Sequence, residues 1–164
     1  MELEQIRESV AQYLTERGVN ARAAWNEQER PALTEPVTVV SLRGCKTGPG
    51  GLLDYLGEVY DPESGLWEER YGRRVELTFG LDTYAAEGMQ GELQTAFAAL
   101  AHALAAGSPD GLAVRELICE ETEYDGKARL LKRTAQVVCT GWLCAVKRAE
   151  ETFLDFELRG ALKQ

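Results

Sequence analysis

The segment from Ser41 to Gly51, SLRGCKTGPGG, places glycines, a lysine and a threonine directly after an apolar run, where a phosphate-binding loop is expected. Such a loop needs a glycine immediately before the lysine, so that successive backbone N–H groups can surround the phosphate oxygens. Here Cys45 separates Gly44 from Lys46, and the following Gly-Pro-Gly-Gly disfavours the helix whose N-terminus would face the phosphate. We therefore interpret the segment as a connecting loop rather than a nucleotide site.

A second group with possible chemistry is acidic. Glu120, Glu121 and Glu123 offer the carboxylate oxygens that Ca²⁺ and Mg²⁺ prefer. In a strand, however, neighbouring side chains point to opposite faces, and basic residues follow on the next predicted strand, which favours a solvated charged arm. His102, the single histidine, falls on the polar side of a predicted helix without a nucleophile or carboxylate at local spacing. We predict no metal and no cofactor.

The four cysteines, Cys45, Cys119, Cys139 and Cys144, form no C-x-x-C pair. Cys119 and Cys139 fall within apolar strand-like runs, which predicts buried, reduced thiols. A thiol nucleophile would need a base beside it, and the polar position of His102 disfavours that arrangement. The sequence also contains no G-x-S-x-G, H-E-x-x-H or Walker motif. We therefore predict that the protein is not an enzyme and has no catalytic residues.

Composition bounds the class of protein. With 164 residues, of which 45% are apolar and 27% charged, the chain suits a single domain with its own core. The net charge of -9, from 18 basic and 27 acidic residues, disfavours a protein that grips nucleic acid through phosphate contacts. The first residues resemble an acidic helix, and no apolar run approaches the ~18 residues of a membrane span. We expect a cytoplasmic protein without membrane contact.

The elements of the first half follow from periodicity and turn signals. Apolar residues at helical spacing predict a helix over 2–17, ended by Gly18. An apolar run predicts a strand over 37–43, followed by the glycine-rich loop 44–51. A turn sequence, DPESG, then separates two extended stretches and predicts a long hairpin over 52–83.

In the second half, the apolar stripe Met89, Leu93, Phe97, Leu100 and Leu104 predicts a second helix. It is followed by extended sequence in which Asp125-Gly126 is a two-residue hairpin signal. The predicted ranges are a helix over 87–106 and antiparallel strands over 112–124, 127–146 and 152–160.

These elements predict an α+β fold, with a mainly antiparallel sheet and both helices packed on one face. The two-residue turn would place Tyr124 opposite Lys127 and Val114 opposite Val137. Because the tip of this hairpin is highly charged and its base is apolar, we expect the tip to extend beyond the core.

Charged hairpins and a glycine-rich segment on a modest core are typical of proteins that assemble with neighbouring copies. The charged residues along the returning arm of the first hairpin and around the tip of the second are the candidates for an oligomer interface. These candidates are Arg70, Arg73, Glu120, Glu121, Glu123 and Lys132.

The order of elements, the tract YDPESGLWEERYGRRVELTF over 60–79 and the late strand FLDFEL over 153–158 resemble tail terminator (tail completion) proteins of long-tailed bacteriophages and prophages. The resemblance covers most of the chain. It implies a homo-oligomeric ring, typically a hexamer, that caps the tail-tube protein, stops polymerisation and meets the head-proximal connector protein. It also implies that DNA passes without specific binding, that the protein is found in the host cytoplasm and then in the virion tail, and that 44–51 is a flexible contact loop which a neighbour orders.

Two alternatives stay open. One is another neck or tail component, such as a head–tail connector, which would bind the portal side rather than the end of the tube. The other is a small-molecule or metal-binding enzyme whose site is assembled from residues distant in sequence. A pocket in which His102 or Cys45 faces convergent carboxylates would favour the enzyme.

Overall fold

The computed structural model describes residues 3–25, 33–109, 111–126, 129–148 and 156–159. Within these residues seven strands form one sheet and two helices pack on it, which is the predicted α+β architecture. In chain order the elements are α1 (Leu3–Glu16), β1 (Ala21–Arg22), β2 (Val37–Pro49), a 3-10 turn (Leu52–Asp54), β3 (Tyr55–Asp61), β4 (Leu66–Ala86), α2 (Gln90–Ala106), β5 (Ala113–Asp125), β6 (Leu130–Arg148) and β7 (Phe156–Arg159).

The sheet is organised around one long ladder. β4 and β6 pair antiparallel from Glu68 opposite Arg148 to Ala86 opposite Leu130. Across the sheet the order is β1-β2-β4-β6-β5, and only the short β1–β2 pair is parallel. β3 continues the β2 side of the ladder and β7 continues the β5 side. The ladder therefore runs through two regions, one beneath the helices and one beyond them.

The core lies between one face of the sheet and both helices, as predicted. Alternate residues of β4 are buried because the strand has one covered face, the pattern expected from a period of two. The Tyr13 hydroxyl donates a 3.0 Å hydrogen bond to the carbonyl oxygen of Ala103, which joins α1 to α2. Burying each large apolar side chain contributes about 1.5–3 kcal/mol. The main contributors are Val10 and Leu14 of α1, Val75, Leu77, Phe79 and Leu81 of β4, Phe97, Leu100 and Leu104 of α2, and Val137 of β6.

Both helices match their predictions closely. α1 ends where Gly18 adopts φ 82, and the amide of Val19 donates to the carbonyl oxygen of Leu14 at 3.1 Å. This is the glycine-terminated helix end that the sequence indicated. The predicted stripe of α2 is buried from Leu93 to Leu104, while His102 is exposed on the opposite side.

The predicted loop 44–51 is wrong for most of its length. β2 continues to Pro49, and Gly44 to Pro49 pair with Thr78 to Arg73 of β4. A bulge holds Arg43 out of the ladder between Leu42 and Gly44. The edge of the long strand β4 offers backbone partners throughout this stretch, and these hydrogen bonds outweigh the entropy that glycine loses in a strand. β4 already orders the segment, so a neighbouring copy is not needed for that.

The predicted hairpin over 52–83 is confirmed for β3 and β4, although 52–54 forms a 3-10 turn and β4 extends to Ala86. Gly65 adopts φ 71 and donates its amide to the carbonyl oxygen of Asp61 at 2.9 Å. The Asp61 carboxylate accepts the amides of Glu63 and Ser64 at 3.0 and 3.2 Å. The DPESG sequence therefore forms the predicted turn. The aspartate side chain caps the backbone, and glycine supplies the residue with left-handed conformation.

The predicted register of the second hairpin is wrong. Tyr124 lies opposite Leu131 and Val114 lies opposite Cys139. The strands pair only up to Asp125 opposite Leu130, so the connection is longer than two residues, and Arg129 within it adopts φ 54. Residue 127 lies outside the described residues.

The tip of this hairpin also does not extend beyond the core. Leu130 and Leu131 are buried, and Leu131 packs with Ala85 and Leu93 in a second small apolar cluster beside the start of α2. Of the predicted strand 152–160, β7 provides Phe156–Arg159, while 152–155 and 160 lie outside the described residues.

Candidate assembly interface

The part of the sheet that projects beyond the helices is formed by the first hairpin. The helix-covered core ends at Val75, whereas β4 begins at Leu66. We call this projection the arm: β3, Leu66–Arg74 of β4, Trp142–Arg148 of β6, and β7. Nine residues of β4 give the arm a length of roughly 30 Å.

One face of the arm carries two pairs of aromatic rings. Tyr60 faces Trp67 across the hairpin, with ring centroids 5.6 Å apart, and Tyr55 faces Tyr71 at 5.5 Å. Both pairs have the edge-to-face geometry that aromatic rings favour. Trp67 is 61% exposed, Tyr60 50% and Tyr55 42%. We call these four residues the aromatic strip. Tyrosine and tryptophan are enriched at the buried centres of protein interfaces, so the strip is a candidate contact surface.

Carboxylates lie between the two ring pairs. Glu58 stands opposite Glu69, and the Tyr71 hydroxyl donates a 2.9 Å hydrogen bond to Glu69. This hydrogen bond is the main cause that raises the pKa of Tyr71. Partial desolvation, followed by the charges of Glu58 and Glu69, raises the pKa of Tyr55. Both phenols therefore stay protonated at neutral pH and present hydroxyl donors beside the acids.

The base of the arm is held by short backbone contacts and an ion pair. Gly50 lies against the carbonyl of Gly72 and the ring of Trp142, so closely that a β-carbon at residue 50 would collide with both. The Arg73 guanidinium is 2.7 Å from the Asp54 carboxylate, which also accepts the amide of Gly50 at 3.4 Å. These contacts fix the 3-10 turn against β4.

The predicted interface residues Arg70 and Arg73 both lie on the arm. Arg73 is mostly exposed but is engaged by Asp54 within the chain. Arg70 is half-buried, and its Nε atom is buried without a hydrogen-bond partner among the residues that the structure describes. Arg70 lies on the face opposite the aromatic strip, since side chains alternate along β4.

The other four predicted residues lie at the far end of the ladder. Glu120, Glu121 and Glu123 are exposed on β5. Lys132 lies opposite Glu123, and its Nζ is 3.5 Å from the Asp82 carboxylate. Fourteen residues of β4 separate the position of Arg70 from that of Lys132, a distance of roughly 45 Å. The sequence candidates thus form two separate groups, one at each end of the sheet.

Asp82 collects several polar partners on the sheet face opposite the helices. Arg43 approaches its Oδ1 atom at 2.9 Å, and the hydroxyl of Thr134 donates to the same atom at 2.8 Å. Together with Lys132, these contacts form a polar cluster across three strands. Lys132 is therefore engaged within its own chain, a role that the sequence did not indicate.

The four cysteines divide into two classes. Cys45 and Cys119 are exposed, whereas Cys139 and Cys144 are buried. The prediction of a buried Cys119 is wrong because β5 is an edge strand and residue 119 is not covered by either helix. Cys139 is buried as predicted, and burial raises its pKa to about 11.

An open groove of about 600 Å³ lies between the end of α1 and α2, and its lining includes Asn20, Glu35 and Glu92. His102 and Cys45 do not line it. Within the described ranges, no group of three or more histidine, cysteine, aspartate or glutamate side chains is arranged to hold a metal ion. None of the described helices is long and apolar enough to cross a membrane.

The chain was compared with known proteins. No protein-family model matches it, and neither does any curated protein sequence.

Sequence reasoning missed the aromatic strip. A usable signal was present: Tyr60 precedes the DPESG turn and Trp67 follows it by two residues, so a hairpin that pairs Asp61 with Leu66 also pairs Tyr60 with Trp67. What the sequence did not reveal is that both helices end short of this pair.

Proposed function

We propose that this protein is a structural tail terminator of a phage or prophage, a homo-oligomeric ring, typically hexameric, that caps the tail tube and joins it to the head-proximal connector. The observation that carries the proposal is the arm with its exposed aromatic strip. In a monomer the exposed side chains of Trp67 and Tyr60 contribute no stabilisation by burial, whereas in an assembly such side chains are buried against a partner.

The layout of the chain suits a closed ring. In a ring of identical copies, each copy must offer two different surfaces, one that receives its neighbour and one that inserts into the next. Here a compact region covered by two helices occupies one end of the ladder, and the arm occupies the other. This arrangement, with different surfaces at the two ends, suits a ring whose arms meet the tail tube, while the helical region faces outward or toward the connector.

The charge supports passage of DNA rather than binding. A net charge of -9 repels phosphate at long range, so a ring of such chains would let DNA slide through without specific contacts. The proposed partners are therefore other copies of the chain, the tail-tube protein and the connector protein, with no specific nucleic-acid contact.

The proposal is tested by polymerising the tail-tube protein of the same phage genome with and without this protein. We expect shorter tubes of uniform length, with extra density at one end by negative-stain electron microscopy. Tubes that grow to the same lengths with and without the protein would contradict the proposal. Binding at the portal side, with bare tube ends, would favour a head–tail connector.

The strip itself is tested by the double variant Tyr60→Ser and Trp67→Ser. We expect it to fold, since neither side chain contributes to the core, but to lose capping because the aromatic anchors are gone. Leu52→Ser is the matched control, since Leu52 is 88% exposed at the base of the arm but is not part of the strip. Equal capping by the double variant and the control would show that the aromatic strip is not part of the interface.

A further inference from the structure

We propose that the aromatic strip binds a basic side chain of the partner protein, an arginine or a lysine, which pairs with Glu58 and stacks on the flanking rings. The inference rests on the proposed function, because it takes the tail-tube protein as the partner. It names the chemistry of the surface that the arm would meet, which the capping role alone leaves open.

The hairpin that carries the strip is acidic. Residues 55–69 contain five carboxylates and no basic side chain, a net charge of -5. The five acids are Glu58, Asp61, Glu63, Glu68 and Glu69. Two of them have positions that serve the chain itself, since Asp61 caps the turn and Glu68 is buried on the face opposite the strip. A partner that covers such a hairpin must compensate the charge of the remaining acids, which favours a basic surface.

A β-bulge brings Tyr55 to the same face as Glu58. Tyr55 and Gly57 pair with consecutive residues of β4, so Leu56 is an extra residue in β3. Side chains alternate along a strand, and without this extra residue Tyr55 and Glu58 would point to opposite faces, because they are three positions apart. Gly57 adopts φ 118, a backbone conformation that glycine supplies at low cost. The bulge therefore places the second ring pair beside Glu58.

Glu58 lies between the two ring pairs. Tyr60 is two residues further along β3 on the same face, at roughly 7 Å, and Tyr55 lies on the other side. A cation within about 6 Å of a ring centroid is attracted to the ring face. A basic side chain that pairs with Glu58 therefore has an aromatic ring within reach on each side. Arginine suits both contacts, since its planar guanidinium stacks on rings and forms two parallel hydrogen bonds to a carboxylate.

The charge of Glu58 is not compensated within the part of the chain that the structure describes. No described basic side chain forms an ion pair with it. β3 is the outer strand of the arm, and the residue opposite Glu58 is Glu69. Like charges directly opposite each other destabilise a sheet. Glu69 differs, because it accepts the hydroxyl of Tyr71 and Lys147 stands opposite it on β6. Glu58 is therefore the carboxylate whose charge a partner can compensate.

The first test uses peptides of defined charge. Acetylated tri-arginine amide is titrated into the folded protein, and acetylated tri-citrulline amide, its neutral isostere, is the matched peptide. The readout is the indole N–H signal of Trp67 in proton–nitrogen correlation spectra, which is identified by its absence in Trp67→Phe. The signals of Trp25 and Trp142, which lie outside the strip, report binding elsewhere on the chain.

We expect tri-arginine to shift the Trp67 signal, and tri-citrulline to leave it in place. The shift caused by tri-arginine should fall several-fold in Glu58→Gln and persist in Glu63→Gln, which makes the same change of charge at the exposed turn of the same hairpin. Equal shifts with the two peptides, or no shift of Trp67 with either, would overturn the proposal.

The second test measures capping of tail-tube protein from the same phage genome. With Glu58→Gln, the protein concentration that halves the mean tube length should rise about tenfold, because a hydrogen-bonded charge pair is lost. Its free energy of unfolding should not fall, since the change removes the repulsion from Glu69. Glu63→Gln is again the control and should change capping by less than about twofold. A loss of capping in Glu58→Gln with a matching loss of stability would assign Glu58 a structural role and overturn the proposal.

The two tests also separate this inference from the proposed function. If the native protein caps tubes and Glu58→Gln caps them equally well, the basic partner is wrong and the capping role stands. If tri-arginine shifts the Trp67 signal but the native protein does not shorten tubes, the capping role is wrong and the site for a basic side chain stands.

Discussion

Trp67 and Tyr60 owe their exposure to where the chain turns. The DPESG turn fixes them as cross-strand partners, and the edge-to-face contact between their rings holds both side chains in place before any partner arrives. Side chains that are already ordered lose less entropy on binding than flexible ones. The aromatic strip is thus suited to be an anchor rather than a surface that must rearrange.

A prediction at the residue scale concerns pH. The hydrogen bond to Glu69 raises the pKa of Tyr71 above its ordinary value of 10.0, so between pH 10 and the raised pKa the folded chain holds a proton that the unfolded chain has released. The stabilisation is complete below pH 10 and is lost as the pH rises through the folded pKa. Tyr71→Phe should therefore lose less stability than the native chain between pH 8 and pH ~10.5.

Urea denaturation at the two pH values measures this difference. Glu69→Gln should reduce the alkaline loss in the same way, because the amide is a weaker acceptor and carries no charge. If Tyr71→Phe shows the same alkaline loss as the native chain, the hydrogen bond does not stabilise the arm.

At the scale of elements, the extension of β2 is the largest difference between the predicted and the observed secondary structure. Gly50 ends this stretch under the carbonyl of Gly72 and the ring of Trp142. Gly48, two residues earlier, has open space where a β-carbon would stand. Substituting Gly50 and Gly48 separately therefore tests whether this segment is a packed strand end or a loop.

Gly50→Ala should lower the free energy of unfolding by about 1–3 kcal/mol, since the methyl group must displace backbone rather than a flexible side chain. Gly48→Ala is the matched control and should change it by less than about 0.5 kcal/mol. Chemical denaturation checks both. Equal tolerance of the two substitutions would show that the segment behaves as a loop.

The elements that could be predicted were those defined by local periodicity. The buried stripe of α2 and the alternation along β4 depend only on residues close in sequence, and both are as predicted. The extension of β2 could not be read locally, because its partner on β4 lies about thirty residues later and glycines ordinarily indicate a loop. The register of the second hairpin failed because Asp125-Gly126 is a strong local signal that a longer connection overrides.

The candidate interface was only partly predictable. The exposed acidic residues of β5 were identified from charge alone. Whether an aromatic residue is exposed depends on where the helices end relative to the sheet, which is a property of the tertiary structure. Lys132 was chosen as an interface residue, and its engagement with Asp82 depends on pairing across β4 and β6.

At the scale of the whole molecule, the chain combines one helix-covered core and one projecting arm. The core gives each copy a fixed shape, and in the proposed ring the arms would be available for the tail tube.

The ring is tested most directly by the solution mass from light scattering over a concentration series, for the protein alone and with the tail-tube protein of the same phage genome. The proposed ring predicts a fixed multiple of the 18.1 kDa chain, six for a hexamer, that does not grow further as the concentration rises. The tail-tube protein should narrow the mass distribution of this oligomer or bind to it. A mass of one chain under all of these conditions would contradict the ring, and with it the proposal that this protein caps a tail tube.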